Sequence, residues 1–130
     1  MLPPASLADT DILSELMRRH PVVIARARAY LSAHGKLVFS EISRFEILRG
    51  LLDTPRAGRR ETFETLCQNS VLLPVDAEAV ERAAEIHALL KAAGSPNGDA
   101  DCLIARTALA RNLTLDTNNT RHFSRITGLR

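Results

Sequence analysis

The feature that most restricts how this chain can fold is an alternation. Four short apolar runs are separated by stretches with helical periodicity. Ala5, Leu7 and Ala8 lead into Asp9, Lys36-Leu37-Val38-Phe39 closes on Ser40, Val71-Leu72-Leu73 stops at Pro74, and Leu113-Thr114-Leu115 ends at Asp116. Each run has the length of a buried strand, and the segments between them are long enough for crossover helices. No two-residue Asn-Gly or Asp-Gly turn joins neighbouring runs, so hairpins are not indicated. Strands alternating with helices imply βαβ units. We therefore expect an α/β fold with a parallel sheet of four or five strands flanked by helices on both faces. At 130 residues, without repeats or low-complexity tracts, the chain reads as a single domain over 1–130.

Between the strands the helical signals are ordinary. Ile12 to Arg19 is a short helix that Pro21 stops. Val22 to Ala33 comes next, with Gly35 as a C-terminal stop. After Ser40 the apolar positions Ile42, Phe45, Leu48 and Leu51/Leu52 predict an inward stripe, with Glu46 beside it. Arg56 to Gln68 predicts a helix with Phe63, Leu66 and Cys67 inward. Asp76 is placed to cap Ala77 to Ala93, whose predicted inner face is Val80, Ala83/Ala84, His87 and Leu90. His87 reads there as a core or boundary residue. After a turn cluster at Gly94 to Gly98, the segment Asp99 to Arg111 is apolar nearly all round, which predicts burial on all sides. Phe123 and Ile126 are expected to pack the segment after the last strand.

Composition excludes more than it identifies. The chain is 45% hydrophobic with no apolar run long enough to cross a bilayer, and no basic leader precedes an apolar segment, so we expect a cytoplasmic protein. Cys67 and Cys102 lack metal-site spacing and read as ordinary thiols rather than a disulfide. The net charge is only +2, but Lys36 and Lys91 are the sole lysines among seventeen cations, and the rest are arginine. Guanidinium groups suit phosphate oxygens, which is compatible with a nucleic-acid partner.

The acids carry the chemistry. In open α/β sheets ligands bind beyond the carboxyl ends of the strands. Asp9 ends the first strand, Glu46 lies on the helix after the second, Asp101 opens the apolar helix, and Asp116 ends the fourth strand. Each has a plain reading as a helix cap, a solvent-facing group or a turn residue. Together, clustered carboxylates repel one another unless a cation sits between them. Hard oxygen donors of this kind suit Mg²⁺ or Mn²⁺.

Four ordered blocks carry a resemblance. They are Leu7-Ala8-Asp9-Thr10-Asp11-Ile12-Leu13, then Ser40-x-x-Ser43-x-x-Glu46-x-x-x-Gly50, then Gly94-x-Pro96 leading to Asp101-x-x-Ile104-Ala105. The last is Leu115-x-Thr117-Asn118-Asn119-Thr120-Arg121-His122-Phe123. In this order the chain resembles a PIN-domain ribonuclease of the VapC toxin type. The resemblance implies Mg²⁺-dependent RNA cleavage, with Mn²⁺ as a substitute, a VapB-like antitoxin partner and a homodimer. It assigns Asp9, Glu46 and Asp101 as the acidic positions, with Asp9 and Asp101 as metal ligands. The fourth position, usually acidic, is Asn119 here, with Asp116 as the other candidate. Arg44, Arg49 and Arg121 are candidates for holding the RNA backbone. Two competing readings remain. Asp9-Thr10-Asp11 also resembles the haloacid-dehalogenase phosphatases, although Leu13 and the scarcity of lysine depart from that pattern. The other is a catalytically inactive PIN-like binding module.

Overall fold

The computed structural model describes residues 4–94 and 98–118. Strand β1 (Ser6–Ala8) hands over to helix α1 (Thr10–Met17), started by Asp9, whose side chain accepts the Thr10 N–H. Helix α1 stops at Met17, short of the expected Arg19, which sits at φ 60°, and Pro21 stands at the first position of α2 (Pro21–His34), where its fixed φ suits a helix start. Gly35, at φ 85°, closes α2 in a backbone region that other residues rarely enter. Then come β2 (Val38–Ser40) and α3 (Glu41–Asp53), capped by the Ser40 hydroxyl on the Ser43 N–H. Helix α4 (Arg59–Gln68), β3 (Val71–Leu73), α5 (Ala77–Ala92), α6 (Asp99–Ala110) and β4 (Thr114–Asp116) complete the described order. Asp76 caps α5 as expected, accepting from Ala79 N–H at 2.8 Å. No helix among the described residues is long and apolar enough to cross a membrane, and Cys67 and Cys102 are free thiols.

All strand pairing among the described residues is parallel, and helices cover both faces. Leu7 sits opposite Leu115, and Phe39 opposite Leu72. Successive strand residues point to opposite faces, and here both faces are buried. Leu7 joins a cluster with Leu90, Ile104 and Ala108 from α5 and α6. Its neighbour Ala8 joins the other cluster with Leu13, Ile47 and Phe63 from α1, α3 and α4. Phe39 and Phe63, both fully buried, meet there with ring centroids 6.3 Å apart.

The expected single sheet of four or five strands is not what forms. The described strands make two separate two-stranded ladders, β1–β4 and β2–β3, although β1 and β2 lie side by side. The reason is local. Ala5 accepts from Thr114 N–H and Asp9 donates to Asp116, so alternate residues of β1 face β4 and Ser6 faces the opposite way, toward β2. The Tyr30 hydroxyl, reaching in from α2, takes both Ser6 groups. It accepts from Ser6 N–H at 3.1 Å and donates to Ser6 C=O at 3.2 Å. A side chain thereby occupies the hydrogen-bonding positions that a neighbouring strand would use.

Several helix faces are rotated from expectation. In α3 the buried residues are Ser43 and Ile47, while Phe45 and Leu52 of the predicted stripe are 57% and 60% exposed. In α5, Ala79, Ala83 and Leu90 face inward and Val80 faces out. His87 is at the boundary, with Nε2 3.8 Å from an Asp99 oxygen. Helix α4 starts at Arg59 rather than Arg56, because Gly58 adopts φ 79° just before it. Helix α6 buries Cys102, Ile104, Ala105, Thr107 and Ala108, yet Ala110 is exposed, so burial does not extend to every side. Phe123 and Ile126 lie outside the described residues.

Tyr30→Phe tests the split. It leaves the Ser6 N–H and C=O without their partner, and we expect a loss of about 1 kcal/mol, the usual net value of such a bond at a partly buried site. Urea denaturation of the two proteins measures it. An unchanged midpoint would mean water replaces the hydroxyl at no cost.

Candidate functional site

The site is built where β1 gives way to α1. Asp9 is 4% exposed, a burial that a carboxylate tolerates only with partners. Its Oδ1 accepts from Thr10 N–H at 2.8 Å, which is the helix-cap role. Its Oδ2 accepts from the Thr117 hydroxyl at 2.8 Å. Thr117 arrives there because the β1–β4 ladder sets Ala8 opposite Asp116, so each strand's exit lies beside the other. Asp9 is therefore a cap and a strand-end acid at once.

Around it lie two more carboxylates. Burial pushes the Asp9 carboxyl up to about 6 against the opposing Thr117 and Thr10 hydrogen bonds, and the charges of Asp11 and Asp101 push in the same direction. Asp101, in the first turn of α6, thus acts on Asp9 through its field, as expected of clustered acids. Burial also raises the Asp11 carboxyl. Asp11 Oδ2 accepts from Asn118 N–H at 3.0 Å, while Oδ1 is buried without a hydrogen-bond partner among the described residues.

Glu46 enters through a relay of hydroxyls. Thr10 Oγ1 lies 2.7 Å from Glu46 Oε1 and 2.9 Å from Ser43 Oγ. Thr10 has one hydroxyl hydrogen, and the carboxylate is the stronger acceptor. Ser43, fully buried, then donates to Thr10, with its own N–H held by the Ser40 hydroxyl. This relay explains the rotation of α3: the helix turns its small polar residues inward and sends Phe45 out.

Asp9 and Asp101 are brought within each other's field, and Glu46 is joined to them through the residue next to Asp9. Even so, among the described residues no group of three or more His, Cys, Asp or Glu side chains is arranged to hold a metal ion. Asp116 is turned aside into an ion pair with Arg26 at 3.1 Å. Asn119, the fourth expected position, lies outside the described residues, as does Arg121. Arg44 pairs with Glu41 at 3.2 Å, and Arg49 stacks over the Phe45 ring at 5.5 Å. The sequence reading missed the hydroxyls of Thr10, Ser43 and Thr117 as orienting groups. Their signal was a hydroxyl residue beside each strand-end acid and one turn before Glu46.

Because the folded protein holds the Asp9 proton more tightly than the unfolded chain does, ionisation opposes folding. The stability associated with the neutral carboxyl is complete below 3.8 and is lost as the pH rises through about 6. In EDTA, wild type should lose stability across that window. Asp9→Asn should reduce the slope without abolishing it, since Asp11 is shifted with the same sign. Denaturation midpoints from pH 4 to 7 decide the matter, and parallel curves for the two proteins would remove Asp9 as the source.

Comparison with known proteins agrees with this architecture. The PIN domain family matches residues 7–129. The chain is 32% identical over 125 residues to the tRNA(fMet)-specific endonuclease VapC of Shigella flexneri, covering 95% of this chain and 93% of that protein. Among solved structures, DNA-bound VapBC from Salmonella typhimurium superposes with a TM-score of 0.85 at 28% identity, covering 98% of this chain and 96% of that one. VapBC-1 from nontypeable Haemophilus influenzae gives 0.82 at 29% identity, covering 96% and 94%. The phosphatase reading of Asp9-Thr10-Asp11 gives way to the PIN-domain match, which covers residues 7–129 and belongs to a different family. This chain belongs to the PIN-domain family and is closely related to the VapC toxins.

Proposed function

We propose that this protein is a metal-dependent ribonuclease, the toxin of a toxin–antitoxin pair, acting in the cytoplasm. The observation that carries this reading is the Asp9 carboxyl, buried at a strand's carboxyl end and pushed up to about 6 while the Asp101 charge bears on it. Such a site disfavours its own ionisation, and a bound cation reverses that penalty. Oxygen donors fit Mg²⁺, with Mn²⁺ as its substitute. Asp9 and Asp101 would hold the ion. When bound, it makes a coordinated water more acidic and offsets charge on the phosphodiester.

The chain's own groups do the remainder. Thr10 and Ser43 fix the orientation of the Glu46 carboxylate, which would hold a second metal ion or take a proton from the attacking water. Thr117 holds Asp9 on the side away from the Thr10 cap. Asn119 is the fourth position in this reading, contributing a neutral oxygen. RNA is the substrate, a VapB-like protein is the antitoxin partner, and the toxin works as a homodimer. The relatives support the first two assignments, since the Shigella flexneri protein is named as a tRNA(fMet)-specific endonuclease and the Salmonella typhimurium and Haemophilus influenzae structures are of VapBC. A second reading is a PIN-like module that binds without cutting. Metal-dependent turnover of RNA separates the two.

Asp9→Asn, Glu46→Gln and Asp101→Asn should each abolish cleavage of total RNA while keeping the circular dichroism of wild type. Mg²⁺ should raise the melting temperature of wild type by mass action, and Asp101→Asn should lose most of that gain. Unfolding of all three variants would make the acids structural. RNA left intact by wild type in Mg²⁺, as in EDTA, would favour the binding module.

The end of β4 gives a separate test. Asn119→Asp should lower the Mg²⁺ concentration needed for half-maximal cleavage, because it adds a charged ligand. Asp116→Asn, which removes only the partner of Arg26, should change it little. The reverse pattern would exchange the two positions.

A further inference from the structure

From Thr10 and Glu46 runs a groove of about 390 Å³, most of whose lining the chemistry above does not use. Helices α1 and α3 pack side by side and both lead away from the Thr10–Glu46 hydrogen bond. The groove between them passes Gly50 and ends among Arg18, Arg56 and Arg59. Arg18 comes just after the last turn of α1, about 12 Å along the helix from Thr10 at 1.5 Å per residue. Arg59 closes the far end, donating to the Met17 carbonyl at 2.6 Å. Arg18 and Arg56 are exposed and have no acidic partner among the described residues.

Gly50 is the second observation. It lies one turn beyond Glu46 on the same face of α3, at i+4. Glycine inside a helix costs about 1 kcal/mol relative to alanine. Its φ is not positive, and a Cβ there would meet nothing within 4 Å. The fold thus has no need of glycine at this position. The groove does, because any longer side chain would project into it.

From these observations we infer that the groove is the track for the RNA strand flanking the scissile phosphate, with Arg18 and Arg56 holding backbone phosphates and Gly50 keeping the floor low enough for the strand to pass. This rests on the ribonuclease reading and names the groups that bind its substrate. The charge order suits a nucleic acid. Phosphates leaving the acidic end, where carboxylates repel them, meet cations a few nucleotides on. Guanidinium forks pair with phosphate oxygens without reading bases.

The test uses the full chain, a fluorescent single-stranded RNA of roughly ten nucleotides, the scale of such sites, and EDTA to suppress cleavage. Anisotropy is measured against salt for wild type, Arg18→Gln, Arg56→Gln and Gly50→Met. Each arginine variant should weaken binding and flatten the slope of log K against log salt by about 0.7, the value for one phosphate on a single strand. Gly50→Met should melt at a higher temperature yet bind RNA more weakly, an opposition that a purely structural role does not produce. Arg18 and Arg56 are exposed, so their variants carry the test even where Gly50→Met fails to fold. Wild-type affinity and slope in both arginine variants would overturn the track. So would variants that bind RNA normally but lose a co-expressed antitoxin, since the groove would then be a protein-docking surface. The same RNA with Mg²⁺ separates the two proposals. Binding without cleavage by wild type, lost in the variants, sinks the nuclease reading and keeps the track. Cleavage by wild type with undiminished binding in the variants does the opposite.

Discussion

Several hydrogen bonds join the two ends of the described chain at the point where the acids meet, among them Thr117 to Asp9 and Asn118 to Asp11. The Thr117 hydroxyl donates to Asp9 across 108 residues of sequence, and it can do so only because β1 and β4 pair in parallel with Leu7 opposite Leu115. A one-residue slip in that register would turn every side chain of the strand to the other face. The register is held by burial on both sides: Leu7 and Leu115 on the α5/α6 face, Ala8 on the α1/α3/α4 face. Packing of apolar side chains therefore decides where a polar network can exist.

That network carries a conflict. Asp9 is needed as a cap, which favours its charged form, yet it is buried beside two other acids, which disfavours it. The outcome is a carboxyl poised near 6, with burial outweighing the hydrogen bonds. Stability is given up at this point and recovered in the two cores around it. Perturbed acids of this kind concentrate at functional sites, where burial and neighbouring charges tune a carboxyl to its task.

The hydroxyl relay shows how a polar demand can override an apolar pattern. Apolar periodicity alone would turn Phe45 inward on α3. Instead Ser43 is buried, because Thr10 and Glu46 need a partner there and an unsatisfied buried hydroxyl is costly. Phe45 is left outside, covered in part by Arg49. The same rotation faces Gly50 toward the groove between α1 and α3.

What the sequence determined by itself was local and periodic. The four apolar runs located the strands to within a residue or two, Gly35 and Pro21 marked helix boundaries, and Asp76 announced its cap, because each of these effects acts within a few residues. The acids Asp9, Glu46 and Asp101 were legible too, as carboxylates in positions that need a partner, and the ordered blocks around them pointed to the family. Which groups orient those acids was decided only in three dimensions. Thr10, Ser43 and Thr117 look like ordinary hydroxyl residues until β1, α3 and β4 converge. Nor could periodicity foresee the split sheet. A tyrosine 24 residues beyond Ser6 takes its two backbone groups, and hydrogen-bond competition between a side chain and a strand leaves no trace in apolar patterning.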